Sequence, residues 1–533
     1  MIKILGKKSI NILVITIVVL SILTGCSSRN IGISNNKGNN NSNNNDNSND
    51  ITIAVTSFAD TLEPTEQYFS WVVSRYGVGE TLIRFDKNGE LEPCLAESWE
   101  VSEDKLTWSF KIRENVKFSN GDDMTAEIVK ASLERTFDLS NRSTSFFEPE
   151  SIKTEGQTLS ITTKEPVANL DGSLADPLFL IVDTNADTNL FAMEGPICTG
   201  PYAVESFSPT EYCDVVKNEY YWGGEVPLDK VTFKCVDDQT TRSMALQTGE
   251  VEIAYNLKTE NLIDFKNKED FEIQELDSLR TTYSYMNQNG LLKDKVLRQA
   301  IIRALDKETY SNVLLEGGAS VGKAPVPPTL DFGFDELNDE NVYDVEGAKQ
   351  LLKGAGYIDV NGDGFVETPS GDKLELNYVI YTSREELNVY SQAAQANLKE
   401  IGINVKLNTV SYETLLDMRD GGNFDMLIWN VLVANTGDPE KYLRENWYST
   451  STSNQAGYSN LEVDSLLDEL STTFDDNKRK ELIIEIQQLI MNDAATIFFG
   501  YETTYLISSK KVTGVTMYPM DYYWLTKDIR LAK

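Results

Sequence analysis

Apolar residues alternate with polar ones in several short segments of the chain, which is the pattern of β-strands with one buried face. Alternating apolar positions occur at 231–235, 374–380 and 403–407, and residues 51–55 read as a buried strand. The polar stretch from Thr56 to Pro64 follows the first strand as a loop. Loops at the carboxyl ends of strands often line ligand crevices, so this loop is a candidate site segment.

Between these segments the apolar residues follow a helical period instead. The spacing i, i+1, i+4, i+7, i+8 holds for Leu482, Ile483, Ile486, Leu489 and Ile490. The spacing i, i+3, i+4, i+7 holds for Ala348, Leu351, Leu352 and Ala355. Both spacings place the apolar side chains on one side of a helix. Interspersed strands and helices over this length predict an α/β fold.

The N-terminal residues have the features of an export signal. Lys3, Lys7 and Lys8 precede an apolar run over 10–23, which ends in Leu23-Thr-Gly-Cys26. The run is shorter than the roughly 20 residues of a membrane-spanning helix, and small residues before a cysteine suit cleavage followed by lipidation. We expect residues 1–25 to be a lipoprotein signal peptide and Cys26 to carry the lipid; the alternative is an uncleaved membrane helix.

Residues 26–50 are rich in asparagine and contain almost no apolar side chains. Such a segment cannot bury enough surface to fold, so we expect a disordered tether. The protein would then be lipid-anchored on the extracytoplasmic face of the cell membrane, as in a Gram-positive bacterium. The remaining chain, from about Ile51 to Lys533, is too long for one ordinary core and predicts two or more lobes.

Composition excludes several classes of function. The chain has 48 Lys and Arg against 83 Asp and Glu, a net charge of −35, which disfavours nucleic acid as a partner. It contains no histidine, so a Ser-His-Asp triad and a histidine-based zinc site are impossible. Four cysteines remain besides Cys26; of these Cys213 and Cys235 can either pair or stay as buried thiols.

Eight short runs, spread in order over most of the chain, resemble the large extracytoplasmic solute-binding proteins of the peptide and nickel class (family 5), in lipoprotein form. Each run alone is weak, but their common order makes the resemblance specific. The runs are 95–99, 106–113 with 116–121, 199–202, 217–223, 241–250, 296–301 with 304–306, 348–357 and 424–426.

The resemblance implies a bilobal, periplasmic-binding-protein-like (Venus flytrap) α/β fold with an extra subdomain inserted in lobe one. Lobe one would comprise 51–87, 191–287 and 501–533, the inserted subdomain 88–190 and lobe two 288–500, with crossings near Asn287 and Tyr501. It also implies that the protein is a monomer, is not an enzyme and needs no cofactor. Such a protein captures a small-molecule or peptide ligand and delivers it to the permease subunits of an ABC importer, which work with their ATPases.

In this class three segments usually contact the ligand, and here they correspond to 56–71, 280–287 and 429–438. These segments mix aromatic side chains with amides, which suits a small polar ligand. The candidate ligand-binding residues that the resemblance implies are Phe58, Tyr68, Trp71, Arg280, Tyr285, Asn287, Trp429, Asn430, Asn435 and Asp438.

Two departures from the family pattern leave the ligand open. Peptide-binding relatives carry an aspartate four residues before a proline, where this chain has Asn435 before Pro439, so the charge that pairs with a peptide amine is missing. Nickel-binding relatives use arginines and a histidine; this chain has Asp176 in the arginine region and no histidine. An oligopeptide or dipeptide, a nickel or other metal chelate, and an opine all remain possible ligands, and we expect no directly bound metal.

Other motifs support rival functions less well. The 359–367 segment has the oxygen spacing of a calcium loop but has Ser370 where the closing glutamate belongs. Ser320-Val-Gly-Lys323 matches the S-x-x-K spacing of serine acyltransferases without their other motifs. A lipid-anchored hydrolase, and a surface sensor or adhesin with the same fold, are therefore the alternative functions.

Overall fold

The computed structural model describes residues 49–56, 59–257, 259–381 and 384–533. The predicted signal peptide, Cys26 and nearly all of the predicted tether lie outside the described residues.

The strands are β1 Asp50–Val55, β2 Ile83–Phe85, β3 Leu91–Pro93, β4 Ala96–Val101, β5 Thr107–Ile112, β6 Pro149–Glu155, β7 Thr158–Thr163, β8 Tyr202–Ser208, β9 Tyr212–Lys217, β10 Lys230–Cys235, β11 Ile253–Tyr255, β12 Phe271–Met286, β13 Ala319–Val321, β14 Glu375–Tyr381, β15 Asn404–Val410, β16 Met426–Leu432, β17 Thr496–Ser509, β18 Val512–Thr513 and β19 Arg530–Leu531. The helices are α1 Phe69–Arg75, α2 Ala126–Leu139, α3 Leu170–Ser173, α4 Phe191–Glu194, α5 Gln239–Thr248, α6 Thr259–Leu262, α7 Lys295–Arg303, α8 Lys307–Thr309, α9 Val345–Gly354, α10 Glu385–Glu400, α11 Tyr412–Asp420, α12 Glu440–Trp447, α13 Leu461–Ser471 and α14 Asp476–Asn492.

The four strands predicted from alternation are confirmed as β1, β10, β14 and β15, and the two predicted helices as α9 and α14. Both helices begin at an aspartate that caps the first turn: Asp344 accepts a hydrogen bond from the N–H of Gly347, and Asp475 accepts one from that of Lys478. Capping satisfies backbone donors that have no partner inside a helix.

One mixed sheet runs through the molecule in the order β15-β14-β16-β12-β17-β11-β1-β10-β9-β8, with β13 paired to β17. The long strands β12 and β17 lie side by side in its centre. The first part of β12 pairs with 503–509 and the last part with 496–501, and the register shifts between Asp277 and Thr281. The crossings predicted near Asn287 and Tyr501 fall just after β12 and within β17, and they stay predictions.

The buried apolar side chains form several separate clusters. One is built from residues between Tyr283 and Phe499, and another surrounds β1 and β10. A third belongs to the region around the four-stranded sheet β4-β5-β7-β6 and includes Met520 and Tyr522 from the C-terminal segment. The predicted boundaries of the lobes and of the inserted subdomain stay predictions.

The rival motifs have local structural roles. Asp359 accepts hydrogen bonds from the N–H groups of Gly362 and Gly364, at 2.6 and 2.9 Å. Nowhere in the described ranges do three His, Cys, Asp or Glu side chains gather in a way that suits a metal ion. Lys323 donates to the carbonyl oxygens of Phe334 and Leu337, at 2.7 and 3.2 Å.

The four cysteines of the described chain are free thiols, so Cys213 and Cys235 do not pair in this structure. Cys213 lies opposite Phe233 in the β9–β10 ladder, and burial raises the pKa of both thiols. Among the described residues, no helix combines the length and the apolarity that crossing a membrane requires.

Candidate functional site

Asn435 lies where the predicted inserted subdomain contacts the predicted lobe two. Its side-chain Nδ2 donates to Oδ2 of Asp176 at 2.9 Å, and its backbone oxygen accepts from the hydroxyl of Tyr522 at 3.1 Å. The same Tyr522 hydroxyl lies 3.2 Å from Oδ2 of Asp176. Asp176 has no exposed surface, and its other oxygen accepts from the N–H of Leu178. This end of the interface is therefore closed by a satisfied polar network.

A second contact lies directly beside it. Asn169 donates to the hydroxyl of Thr436 at 2.8 Å. Gly172 lies so close to lobe two that a Cβ atom there would stand 2.2 Å from the backbone oxygen of Thr436. A side chain does not fit in that space, so glycine at 172 permits the close approach of the two parts.

Aromatic side chains form the lobe-one wall next to this contact. Tyr68 packs edge-on against Trp71 with ring centres 5.2 Å apart, and Trp71 lies 5.3 Å from Tyr522. Tyr68 is 45% exposed and Trp71 only 7%, yet the indole Nε1 of Trp71 has no hydrogen-bond partner. Buried indole N–H groups usually find an acceptor, and here no described protein atom provides one.

The lobe-two wall is also aromatic. Trp429 stacks on Tyr412 with ring centres 6.1 Å apart and lies 6.0 Å from Tyr381, while the Arg419 guanidinium lies 4.9 Å from the Trp429 ring centre. Burial and then the neighbouring Tyr68 hydroxyl raise the pKa of Tyr412. Since Tyr68 belongs to lobe one, its electrostatic effect shows that the two walls lie near one another.

Polar side chains of β12, β16 and β17 form a hydrogen-bonded group next to the predicted crossing at Tyr501. Asn430 pairs with Thr282 in the ladder, and its Nδ2 donates both to the Thr282 hydroxyl at 2.8 Å and to the Glu502 carboxylate at 2.6 Å. Thr282 also donates to the other oxygen of Glu502. Arg280 joins this group through Oδ1 of Asn430, at 3.3 Å.

The charges of this polar group are strongly influenced by burial. Burial, followed by the charge of Arg384, lowers the pKa of Arg280 to about 10. Burial, followed by the carboxylate of Glu386, raises the pKa of Glu502 to about 7, although Thr282, Arg384 and Asn430 act in the opposite direction. Proton transfer to Glu502 thus falls in the neutral pH range.

Three of the predicted ligand-binding residues, Tyr285, Asn287 and Asp438, are hydrogen-bonded within the protein through their polar side-chain atoms. The Tyr285 hydroxyl donates to Asn446 at 2.8 Å in the core of lobe two. Asn287 donates to the backbone oxygens of Gly422 and Phe424, at 3.2 and 2.9 Å.

Asp438 accepts two hydrogen bonds from Arg479, at 3.0 and 2.8 Å, and one from the N–H of Glu440. It therefore shapes the start of α12. Phe58 lies outside the described residues.

Of the predicted ligand-binding residues, Tyr68 packs on Trp71 and Arg280 contacts Asn430, while their role in ligand binding stays a prediction. The structure adds residues that sequence reasoning missed: Glu502, Tyr522, Arg384, Tyr381 and Tyr412. Glu502 follows the predicted crossing at Tyr501 directly, and this position was the only sequence signal that could have identified it. The others come from segments without a recognisable motif.

Comparison with known proteins gives a consistent result. The model of the bacterial extracellular solute-binding proteins, family 5 Middle, matches residues 90–454. The probable D,D-dipeptide-binding periplasmic protein DdpA of Escherichia coli K12 is 26% identical, over 88% of this chain and 92% of that protein. The nickel-binding protein NikA of Staphylococcus aureus is 24% identical, over 86% and 89%. The crystal structure of a nickel ABC transporter protein from Bacillus halodurans matches with a TM-score of 0.72 at 30% identity, covering 91% of this chain and all of that one.

Proposed function

Because the chain belongs to the bacterial extracellular solute-binding proteins of family 5, which capture a ligand for an ABC importer, we propose that its own ligand is a small polar molecule held between the aromatic walls of Trp71 and Trp429. The observation that carries this proposal is the unpartnered Nε1 of Trp71, 93% buried beside Tyr68 and Tyr522. A ligand acceptor would satisfy that donor when the lobes close. Hinge closure of this kind traps ligands in two-lobed proteins.

The contacts of Asn435 disfavour a peptide with a free amino terminus at this position. Its amide is neutral and already hydrogen-bonded to Asp176, whose two oxygens are occupied. An ammonium group bound beside Asn435 would find no carboxylate oxygen without a partner. An unpaired buried charge costs about 1–3 kcal/mol or more. We therefore favour a ligand whose polar groups face Trp71 and Arg280.

We infer that the protein performs no chemical step on its ligand. Its family consists of substrate-binding transport proteins. The chain has no histidine, and the Lys323 amine of the S-x-x-K match donates to two backbone oxygens. Turnover of a candidate ligand by the purified protein, measured by mass spectrometry, would contradict this inference.

We also propose that Cys26 carries a lipid that holds a monomeric protein at the extracytoplasmic membrane surface near its permease. Labelled palmitate should enter the wild-type protein in cells and should be absent from Cys26→Ala. Incorporation into Cys26→Ala would refute the anchor while leaving the ligand proposal intact.

Native mass spectrometry of protein purified from its source tests the ligand proposal. We expect a small bound molecule that is lost on denaturation and retained less by Trp71→Phe. Val204→Ala, on β8 of the lobe-one sheet, serves as the control and should retain the molecule. A cargo retained equally by Trp71→Phe and the wild type would refute the role of the indole N–H.

A further inference from the structure

Phe474 lies in the turn between α13 and α14 and connects two separate apolar clusters. Both helices pack into the cluster built from residues between Tyr283 and Phe499. The Phe474 ring packs instead against the cluster of the four-stranded sheet, where it stacks on Trp108 of β5 with ring centres 6.2 Å apart. Trp108 is buried and Phe474 only partly buried, so the contact lies at the edge of both clusters.

A lysine also contacts the Phe474 ring. Nζ of Lys105, in the turn between β4 and β5, lies 4.9 Å from the ring centre, and a cation near an aromatic ring is attracted to it electrostatically. Lys105 has a φ of 62°, in the left-handed region that glycine adopts without cost and other residues rarely adopt. The turn keeps a lysine where glycine would be less strained, which indicates a role for its side chain.

A backbone hydrogen bond holds the same two regions together. The N–H of Ala168, in the loop between β7 and α3, donates to the carbonyl oxygen of Ser471 at 3.0 Å. Ser471 is the last residue of α13, where carbonyl oxygens have no partner inside the helix. We use the term latch for the contact of Lys105, Trp108 and Ala168 with Ser471 and Phe474.

The two regions that meet at the latch also meet elsewhere. Asn435 and Thr436 bond to Asp176 and Asn169, as described above, and Nζ of Lys441 lies 4.6 Å from the ring centre of Phe146. Every one of these contacts joins the predicted inserted subdomain to the predicted lobe two. They consist of protein groups alone, so their formation requires no ligand.

We propose that the latch holds these two regions together before a ligand binds, so that part of the ligand-free population is already closed. The inference goes beyond the proposed function, because it assigns control of closure to residues outside the aromatic walls. When only a fraction of the molecules is competent to bind, the apparent affinity is reduced in proportion to that fraction. The latch therefore sets the affinity without contacting the ligand.

Small-angle scattering of the ligand-free protein tests the latch directly. Cargo is removed by unfolding and refolding, and the radius of gyration of the wild type is compared with that of Phe474→Ala. We expect a larger radius for Phe474→Ala, because loss of the aromatic stack lowers the ratio of closed to open molecules by roughly threefold to tenfold. Phe474→Tyr keeps the ring and should match the wild type.

Phe271→Ala is the matched control. The Phe271 ring also has an aromatic neighbour, Phe265 at 5.0 Å, and a lysine, Lys268 at 5.9 Å, but the two rings belong to a single apolar cluster. This variant should lose stability and keep the wild-type radius of gyration. Lys105→Gly is a second test, since glycine suits the φ of this turn; it should increase the radius less than Phe474→Ala does.

Equal radii of gyration for ligand-free wild type and Phe474→Ala would overturn the latch, and so would an equal increase in Phe271→Ala. Calorimetry with the isolated cargo gives the second readout, in which Phe474→Ala should bind roughly threefold to tenfold more weakly. Unchanged affinity at an increased radius would overturn the control of affinity. The scattering requires no ligand, so its failure leaves the cargo measured by native mass spectrometry, and with it the proposed function, unaffected.

Discussion

The side-chain amide of Asn435 lies 2.9 Å from Oδ2 of Asp176, so two segments 259 residues apart, in the predicted lobe two and inserted subdomain, are joined by a direct hydrogen bond. An aspartate at position 435 could not form the same bond while both it and Asp176 are ionised, because like charges at that distance repel. The asparagine thus makes the contact compatible with closed lobes.

Asn435→Asp should weaken closure. It replaces a hydrogen bond with two facing carboxylates, which we expect to cost about 1–3 kcal/mol in the closed state. Small-angle scattering at pH 7 should show a larger radius of gyration than that of the wild type.

Asn435→Ala is the control, since it removes the bond without adding charge. A dipeptide with a free amine, but not its N-acetyl form, should restore closure of Asn435→Asp by placing an ammonium between the carboxylates. A radius of gyration equal to that of the wild type at pH 7 would contradict the role of this contact.

Trp71→Phe should lower ligand affinity with little change in stability. The ring keeps its contacts with Tyr68 and Tyr522, and the lost N–H has no protein partner. If the ligand accepts a hydrogen bond from it, affinity falls by about 0.5–1.5 kcal/mol, roughly tenfold at most.

Calorimetry with the isolated cargo gives the affinity, and urea unfolding gives the stability. Trp71→Ala, which also removes the ring, should cost about 3–5 kcal/mol of stability. Identical affinities of Trp71→Phe and wild type would show that no ligand group meets the indole N–H.

Glu502→Gln should stabilise the protein at pH 8 and have little effect at pH 5. The folded-state pKa of Glu502 is raised from 4.5 to about 7, chiefly by burial. Its stability contribution is therefore present below pH 4.5 and is lost as the pH rises through 7, whereas glutamine does not ionise.

Differential scanning calorimetry at the two pH values measures this, with roughly 2–4 °C in Tm expected for each kcal/mol. Glu275→Gln, at an exposed position of β12, is the matched control and should show no such difference. A Tm increase of Glu502→Gln that is the same at pH 5 and pH 8 would argue against titration of this carboxyl.

Asp438→Asn should reduce stability and leave ligand affinity unchanged. Asp438 and Arg479 form a pair with side-chain exposures of 14% and 8%, and Arg479 retains Glu440 when the charge of Asp438 is removed. We expect a loss of about 1–3 kcal/mol in urea unfolding.

Asp468→Asn is the comparison, because Asp468 pairs with Arg444 at exposures of 58% and 31%. A loss below about 1 kcal/mol is expected for such an exposed pair. If Asp438→Asn instead weakened ligand binding at unchanged stability, Asp438 would belong to the binding site.

The sequence by itself determined the family and the regular elements. Alternation over 51–55 and 374–380 and the helical period of 482–490 identified β1, β14 and α14, because burial of one face imposes these periods on the residues. The order of motifs also identified the segments around Trp71 and Trp429. The order of motifs did not show which residues of a strand face the cleft, since adjacent side chains point to opposite faces of the sheet.

Only the tertiary structure decided which candidate side chains remain available. Tyr285 and Asn287 follow Arg280 closely in sequence, yet their polar atoms are satisfied within lobe two. Asp176 and Asn435, 259 residues apart, meet only through the packing of two lobes. Hydrogen bonding and charge depend on distances between remote segments, and local sequence patterns carry no information about those distances.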